Sequence, residues 1–412
     1  MIGLVAFYTC SIIVRLGFSL ELYDTPDLIA AMWGIWGRRI TVFMSAVLML
    51  GALMAYNVIL NSAFYKVLDA LSIWMADKPL AECTTCWGSF STHYTPFILM
   101  GVLALLLNMK DKKSYIRLNS KGIYFLLTTV SFLIAVGLRA LGVNEWTTHG
   151  SSDWITDHKH CEGDWNCVDT KYEVPIKLFN NGFLVTAGVV TLSFFLHNCV
   201  IIIMKNNQEP EHNIRDLACG YFATGFCYFL IGLLGYFGFS GNGFPQGAIA
   251  QNALDMFQPT NPFAFVIRMV LCVQMTTVYP MVSYLVRVQL FGFFYGTDFP
   301  SRKHLIVYSL VVTSLTTIVT ITFPNVGSIV AFFGAICGLY FVYLTPVIMY
   351  AKLTGKPSTE DPKKLQTATT ESLMYAAPSS ASPSRLAVAL HCLIPVLGLV
   401  ILVFQFVPPA AL

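Results

Sequence analysis

Charge is what this chain has least of. Of its 412 residues, 11% are Asp, Glu, Lys or Arg, whereas soluble domains carry about 25%. The deficit is filled by apolar residues, which make up 56% of the chain and give a mean hydropathy of +0.64. A water-soluble globular protein is thereby excluded. The net charge of +3 is small and no basic tract occurs, so nucleic acid is not an expected partner. There is no Gly-rich phosphate loop, no His-Glu-x-x-His and no Gly-x-Ser-x-Gly, which leaves the soluble catalytic classes without a foothold, and an enzyme is not expected. No Asn-x-Ser/Thr sequon is present, so N-glycosylation is not expected. The first apolar run has no charged n-region and no small-residue cleavage site, the marks of a signal peptide.

What is there is a succession of apolar runs. Ten candidate spans fall near 2–14, 40–65, 94–109, 121–143, 179–204, 216–239, 263–291, 304–323, 326–351 and 386–407, most of them near the 20 residues or so that a membrane helix needs. An all-α polytopic membrane protein is the fold class they predict. Lys and Arg concentrate in loops 15–39, 110–121, 205–215, 287–303 and 352–385, which places those loops in the cytosol. This orientation puts Met1 outside the cytosol, on a short run without an export signal, so a span preceding it is expected in the full-length product.

Between the spans, "TPDLIAAMWGIWGRR" reads as a short interfacial helix, with Trp33 and Trp36 at headgroup level. Residues 352–385, rich in Ser, Thr, Pro and Ala, read as a flexible cytosolic linker before the last span and short tail at 386–412. Seven cysteines lie in or beside spans and read as small packing residues. Cys83, Cys86, Cys161 and Cys167 lie in the two large non-cytosolic loops and are disulfide candidates, their pairing open. The second pair is surrounded by Asp157, His158, His160, Glu162 and Asp164, so a metal site is the minor alternative.

Polar side chains inside spans mark where function would sit, because each must find a partner within the protein. In "QMTTVYPMVSYLVRVQ", helical spacing puts Arg268, Cys272, Thr276, Pro280, Ser283 and Arg287 along one face. Pro280 offers no N–H to the Thr276 carbonyl, and together with the hydroxyls of Thr276 and Thr277 this gives hard oxygen ligands for a small cation. The alternative is that these hydroxyls bond back to their own helix. Ser193, His197 and Asn198 interrupt "TLSFFLHNCVIIIMKNN", with Ser193 and His197 at i, i+4 on one face, and Tyr56, Asn57 and Asn61 interrupt the second span. In "GSIVAFFGAICGLYF" small residues recur every fourth position, a pattern for close helix packing.

The stretches "SFFLHNCVIIIMKNNQEPEHNIRDL", "QNALDMF", "QMTTVYPMVSYLVRVQLFG" and "FPNVGSIVAFFGAICGLYFVYLTPVIMY" resemble the amino acid/auxin permease family, over the chain from Met1 to about residue 407. The resemblance implies the amino acid permease fold, an inverted five-plus-five repeat followed by one more helix, with substrate and sodium at broken helices near the midplane. Residues 1–143 would then be an incomplete first repeat, 144–178 a lumenal loop, and 179–351 a complete second repeat. Thr277 matches the family's sodium-site threonine, with Thr276 beside it; Tyr56, Ser193, His197 and Asn198 fall at the substrate pocket. The activity implied is secondary active transport of arginine, glutamine or leucine-like amino acids across the lysosomal or late endosomal membrane, or alternatively the plasma membrane. Sodium is the coupling ion expected, no other cofactor is implied, and membrane lipid is the surrounding partner. A chain beginning at Met1 would lack the family's first span and is expected to transport poorly. The signalling partners of the family's N-terminal tail are not expected for it. An amino acid sensor with little transport is the other reading.

Overall fold

The apolar runs fold as helices in the computed structural model, which describes residues 1–76, 79–80, 94–108, 122–142, 183–205, 207–239, 252–257, 259–297, 299–354 and 385–406. In chain order these are α1 (Ile2–Ser19), α2 (Thr25–Ala76), α3 (Thr95–Leu107), α4 (Gly122–Gly142), α5 (Phe183–Ser193) and α6 (Val200–Met204). They are followed by α7 (Asn213–Phe239), α8 (Pro262–Tyr295), α9 (Arg302–Thr322), α10 (Val326–Gly338), α11 (Thr345–Thr354) and α12 (Arg385–Phe404). No strand occurs among the described residues. Six stretches are long and apolar enough to cross a membrane, and three shorter apolar helices accompany them. Cys83, Cys86, Cys161 and Cys167, with the acidic and histidine residues beside the second pair, lie outside the described residues.

Local chemistry sets the helix limits. Asn261 accepts from the N–H groups of Phe263 and Ala264 ahead of Pro262, starting α8. Ser301 and Asn325 cap α9 and α10 in the same way, each accepting from the third residue of its helix. The interfacial segment expected at 25–39 is a helix of its own only up to Gly34, where a non-helical backbone (φ +67°, ψ −160°), open to glycine at no steric cost, sets it off from the helix of the following span within α2. α10 continues through a π-helical stretch, Leu339–Leu344, into α11.

Two layers of packing result. α2 lies along α8, and with α3 and α9 it buries Leu53, Leu60, Leu99, Leu103, Tyr279, Val286, Tyr308 and Val312. On the other side α1 gathers α6, α7 and α11 around Cys10, Ile13, Val14, Leu28, Val200 and Met349. α10 lies between, against both α2 and α5. The α5–α10 contact explains the small-residue spacing: a Cβ on Gly188 would meet the Ala331 carbonyl oxygen at 2.8 Å, and one on Gly334 would strike the Gly188 carbonyl. The cysteines in spans are not all packing residues, since Cys219, Cys227 and Cys392 are exposed on the outside of the bundle.

Candidate functional site

The run read as one span over 179–204 is two helices separated by residues 194–199. A break inside a membrane segment leaves backbone groups that must be satisfied internally. The carbonyl groups are met by side chains from other helices. Tyr228 Oη donates to the Ser193 carbonyl at 3.1 Å, Tyr221 Oη to that of Phe194 at 3.0 Å, and Thr25 Oγ1 to that of His197 at 3.1 Å. The N–H groups of Phe194, Phe195 and Cys199 reach the carbonyls of Val190, Leu192 and Leu196, but the three between are not met. Those of Leu196, His197 and Asn198 donate to no carbonyl or side chain among the described residues.

Beside these amides lie two buried acceptors. Thr9 Oγ1, on α1, is 2.9 Å from both the Val5 carbonyl and His197 Nε2. Assigning its one proton to that carbonyl gives His197 Nε2 the ring hydrogen and leaves Nδ1 a lone pair. His197 is fully buried, and Nδ1 has no partner. Asn198 donates from Nδ2 to Ser45 Oγ on α2 at 3.2 Å, and its buried Oδ1 is likewise without a partner. The break thus carries three unaccepted donors in a row and two buried acceptors on the same residues.

The other expected residues stand at different distances from this centre. Ser193 and His197 do not share a helical face, because the helix ends between them. The Ser193 side chain is exposed and donates back to the Val189 carbonyl, so this residue reaches the break through its own carbonyl. Tyr56 packs against the core that α2 shares with α8, and Tyr228 of α7 lies near it. Sequence reading passed over Thr9, Thr25, Ser45, Tyr221 and Tyr228. None stands out locally, as each acts on a segment distant in the chain.

On α8, Thr276 Oγ1 donates to the Cys272 carbonyl at 2.7 Å and Thr277 Oγ1 to the Gln274 carbonyl at 2.7 Å. The back-bonded alternative is therefore realised, yet it does not remove the oxygen ligands. Each hydroxyl oxygen keeps lone pairs after donating, and the Thr276 carbonyl has no N–H to accept because position 280 is proline. Thr277 is buried and Thr276 half-buried. This donor set, all neutral oxygen, fits a small monovalent cation.

Comparison with known proteins bears on both features. The family described as transmembrane amino acid transporter protein matches residues 1–376. Neutral amino acid transporter 9 of Xenopus laevis is 29% identical over 391 residues, covering 85% of this chain and 67% of that protein. The rat protein of the same name is 28% identical over 392 residues, covering 85% and 66%. The sodium-coupled neutral amino acid transporter 9 homolog of Caenorhabditis elegans is 34% identical over 189 residues, covering 46% and 30%. The chain thus spans about two thirds of the length of its full-length relatives. Among solved structures, MhsT in complex with L-phenylalanine superposes with a TM-score of 0.55 at 12% identity, over 97% of this chain and 89% of its own.

Proposed function

The chain belongs to the transmembrane amino acid transporter family, and from that premise we propose that the break at residues 194–199 is where it holds its substrate, a free α-amino acid. The supporting observation is the run of three unaccepted N–H groups beside two unpartnered buried acceptors. The substrate carboxylate takes the amides of Leu196, His197 and Asn198, in the manner of anions at helix ends. Its ammonium group donates to His197 Nδ1 and Asn198 Oδ1. Both partners are neutral groups of fixed direction, so the substrate supplies all the charge and is held in one orientation.

Sodium is the coupling ion in this reading, held by the Thr277 hydroxyl and the Thr276 carbonyl on α8. The oxygen donor set supports it, and so does the likeness to a nematode protein described as sodium-coupled. Tyr56, between α8 and Tyr228, connects the cation residues with the broken helix. A lysosomal or late endosomal membrane, with export of neutral and cationic amino acids stimulated by arginine, is the setting that the sequence resemblance supports.

The test is uptake of labelled leucine, glutamine and arginine into liposomes carrying the full-length product, with and without a sodium gradient. Asn198→Leu is expected to lower uptake at least tenfold, and Thr277→Ala to remove its dependence on sodium while some binding survives. Uptake that is equal in sodium and in choline overturns the sodium assignment. Uptake indifferent to Asn198→Leu overturns the substrate assignment.

A further inference from the structure

A second polar cavity lies apart from the broken helix, at the end of the bundle opposite Arg38 and Arg39. It has a volume of about 270 Å³ and is lined by Asn61, Ser62, Tyr65 and Lys66 of α2 and by Thr320 and Pro324 at the end of α9. Sites for drug-sized ligands run to about 300–1,000 Å³, so this one suits a metabolite of few heavy atoms. Its two walls differ in character.

The α2 wall donates. Lys66 forms no salt bridge among the described residues, and no carboxylate lines the cavity. Asn61 Oδ1 is taken up by the Thr95 hydroxyl, which orients its amide nitrogen as the free end. Tyr65 adds a hydroxyl. The α9 wall accepts. Thr320 lies in the last turn of α9, where the carbonyls run out of helical N–H partners. The turn Ala253–Met256 is fastened to α8 and α2: Arg268 of α8 donates to the carbonyls of Leu254 and Phe257 at 2.7 and 2.8 Å, and Ser62 of α2 reaches Asp255. Burial holds the Asp255 carboxyl above the ordinary carboxylate range, while Lys66 and Arg268 pull it the other way. One helical turn deeper, on the same two helices, the side-chain amide of Asn57 and the hydroxyl of Thr317 are each 1% exposed and have no partner.

We propose that this cavity is an accessory binding site for a free zwitterionic amino acid, its carboxylate on Lys66, Asn61 and Tyr65 and its ammonium group on the Thr320 carbonyl. The ligand class is the one the transport reading assigns to the broken helix, but the site uses none of the same residues. Donors on one wall and an uncommitted carbonyl on the other match both charges of such a ligand at the spacing of two packed helices.

Equilibrium binding of labelled L-leucine to the purified chain in detergent tests this. Competitors are 4-methylpentanoate, which lacks the amine, isoamylamine, which lacks the carboxylate, and dihexanoylphosphatidic acid as a lipid phosphate. A binding component lost in Lys66→Gln and kept in Asn198→Leu is expected, with both leucine fragments competing at least tenfold less well than leucine. Asn61→Asp keeps the acceptor for Thr95 but sets a negative charge against the carboxylate, and is expected to weaken the same component severalfold; an unaltered gel-filtration profile shows that each variant is folded. An isotherm unchanged by both substitutions overturns the proposal. So does equal competition by 4-methylpentanoate, or displacement by the lipid phosphate alone. Loss of the Asn198-dependent component with the Lys66-dependent one intact would count against the transport reading and leave this site standing.

Discussion

A hydroxyl has one proton, and where Thr9 places it decides what His197 can do. With that proton on the Val5 carbonyl, the imidazole faces the break as an acceptor. Thr9→Val removes one acceptor from the ring N–H and leaves it the Ala6 carbonyl, a loss of about 0.5–1.5 kcal/mol. A lower Tm together with weakened amino acid binding is expected; an unchanged affinity would detach His197 from the substrate. Asp24, in the turn between α1 and α2, behaves differently. Burial, with Asp27 adding to it, lifts its carboxyl from an ordinary 3.8 to about 6. The fold then binds this proton more tightly than the unfolded chain does, so stability declines as pH rises from about 4 to 6. Asp24→Asn is expected to leave Tm unchanged at pH 4 and to stabilise by ~1 kcal/mol at pH 7, after allowance for partial exposure. A gain that is the same at both pH values would refute that account.

At the scale of elements, α5 and α10 are held together by backbone contact rather than by side-chain volume. Gly334→Val places two methyl groups where the Gly188 carbonyl stands, and overpacking of that kind costs 1–3 kcal/mol or more. Reduced yield and a lower Tm are expected, and Gly188→Val should behave alike. On α8 the informative change is Pro280→Ala, which gives the Thr276 carbonyl a hydrogen-bond partner and straightens the helix. It is expected to stabilise the helix and to weaken sodium dependence, read as a rise in the sodium concentration for half-maximal uptake. Much of this scale was legible in sequence: the paired threonines, the proline that follows them and the four-residue spacing of small residues are local patterns. The break at 194–199 was not. "SFFLHNCV" is apolar enough to read as continuous helix, and the groups that meet its carbonyls, Tyr221, Tyr228 and Thr25, lie elsewhere in the chain.

For the whole molecule, the apolar runs sufficed to give the helices and nearly all their limits, because a bilayer leaves few alternatives to a helix. They did not place the boundary between the interfacial helix and the next span, which depends on the backbone of one glycine, Gly34. Orientation is open to measurement. Thr297→Cys, at the end rich in Lys and Arg, is expected to react with an impermeant maleimide from the cytosolic side, and Thr260→Cys from the opposite side. The reverse pattern would invert the topology.

The two tyrosines of α7 also constrain the order of events during synthesis. The carbonyls of Ser193 and Phe194 meet their partners only when Tyr228 and Tyr221 arrive, 35 and 27 residues later. Until α7 has emerged from the ribosome, the segment 183–204 cannot enter lipid with its backbone satisfied. It should therefore wait at the insertion machinery and partition into the bilayer together with α7, as a hairpin. A nascent chain halted before residue 221 would then remain extractable, and one halted beyond 239 would be integrated.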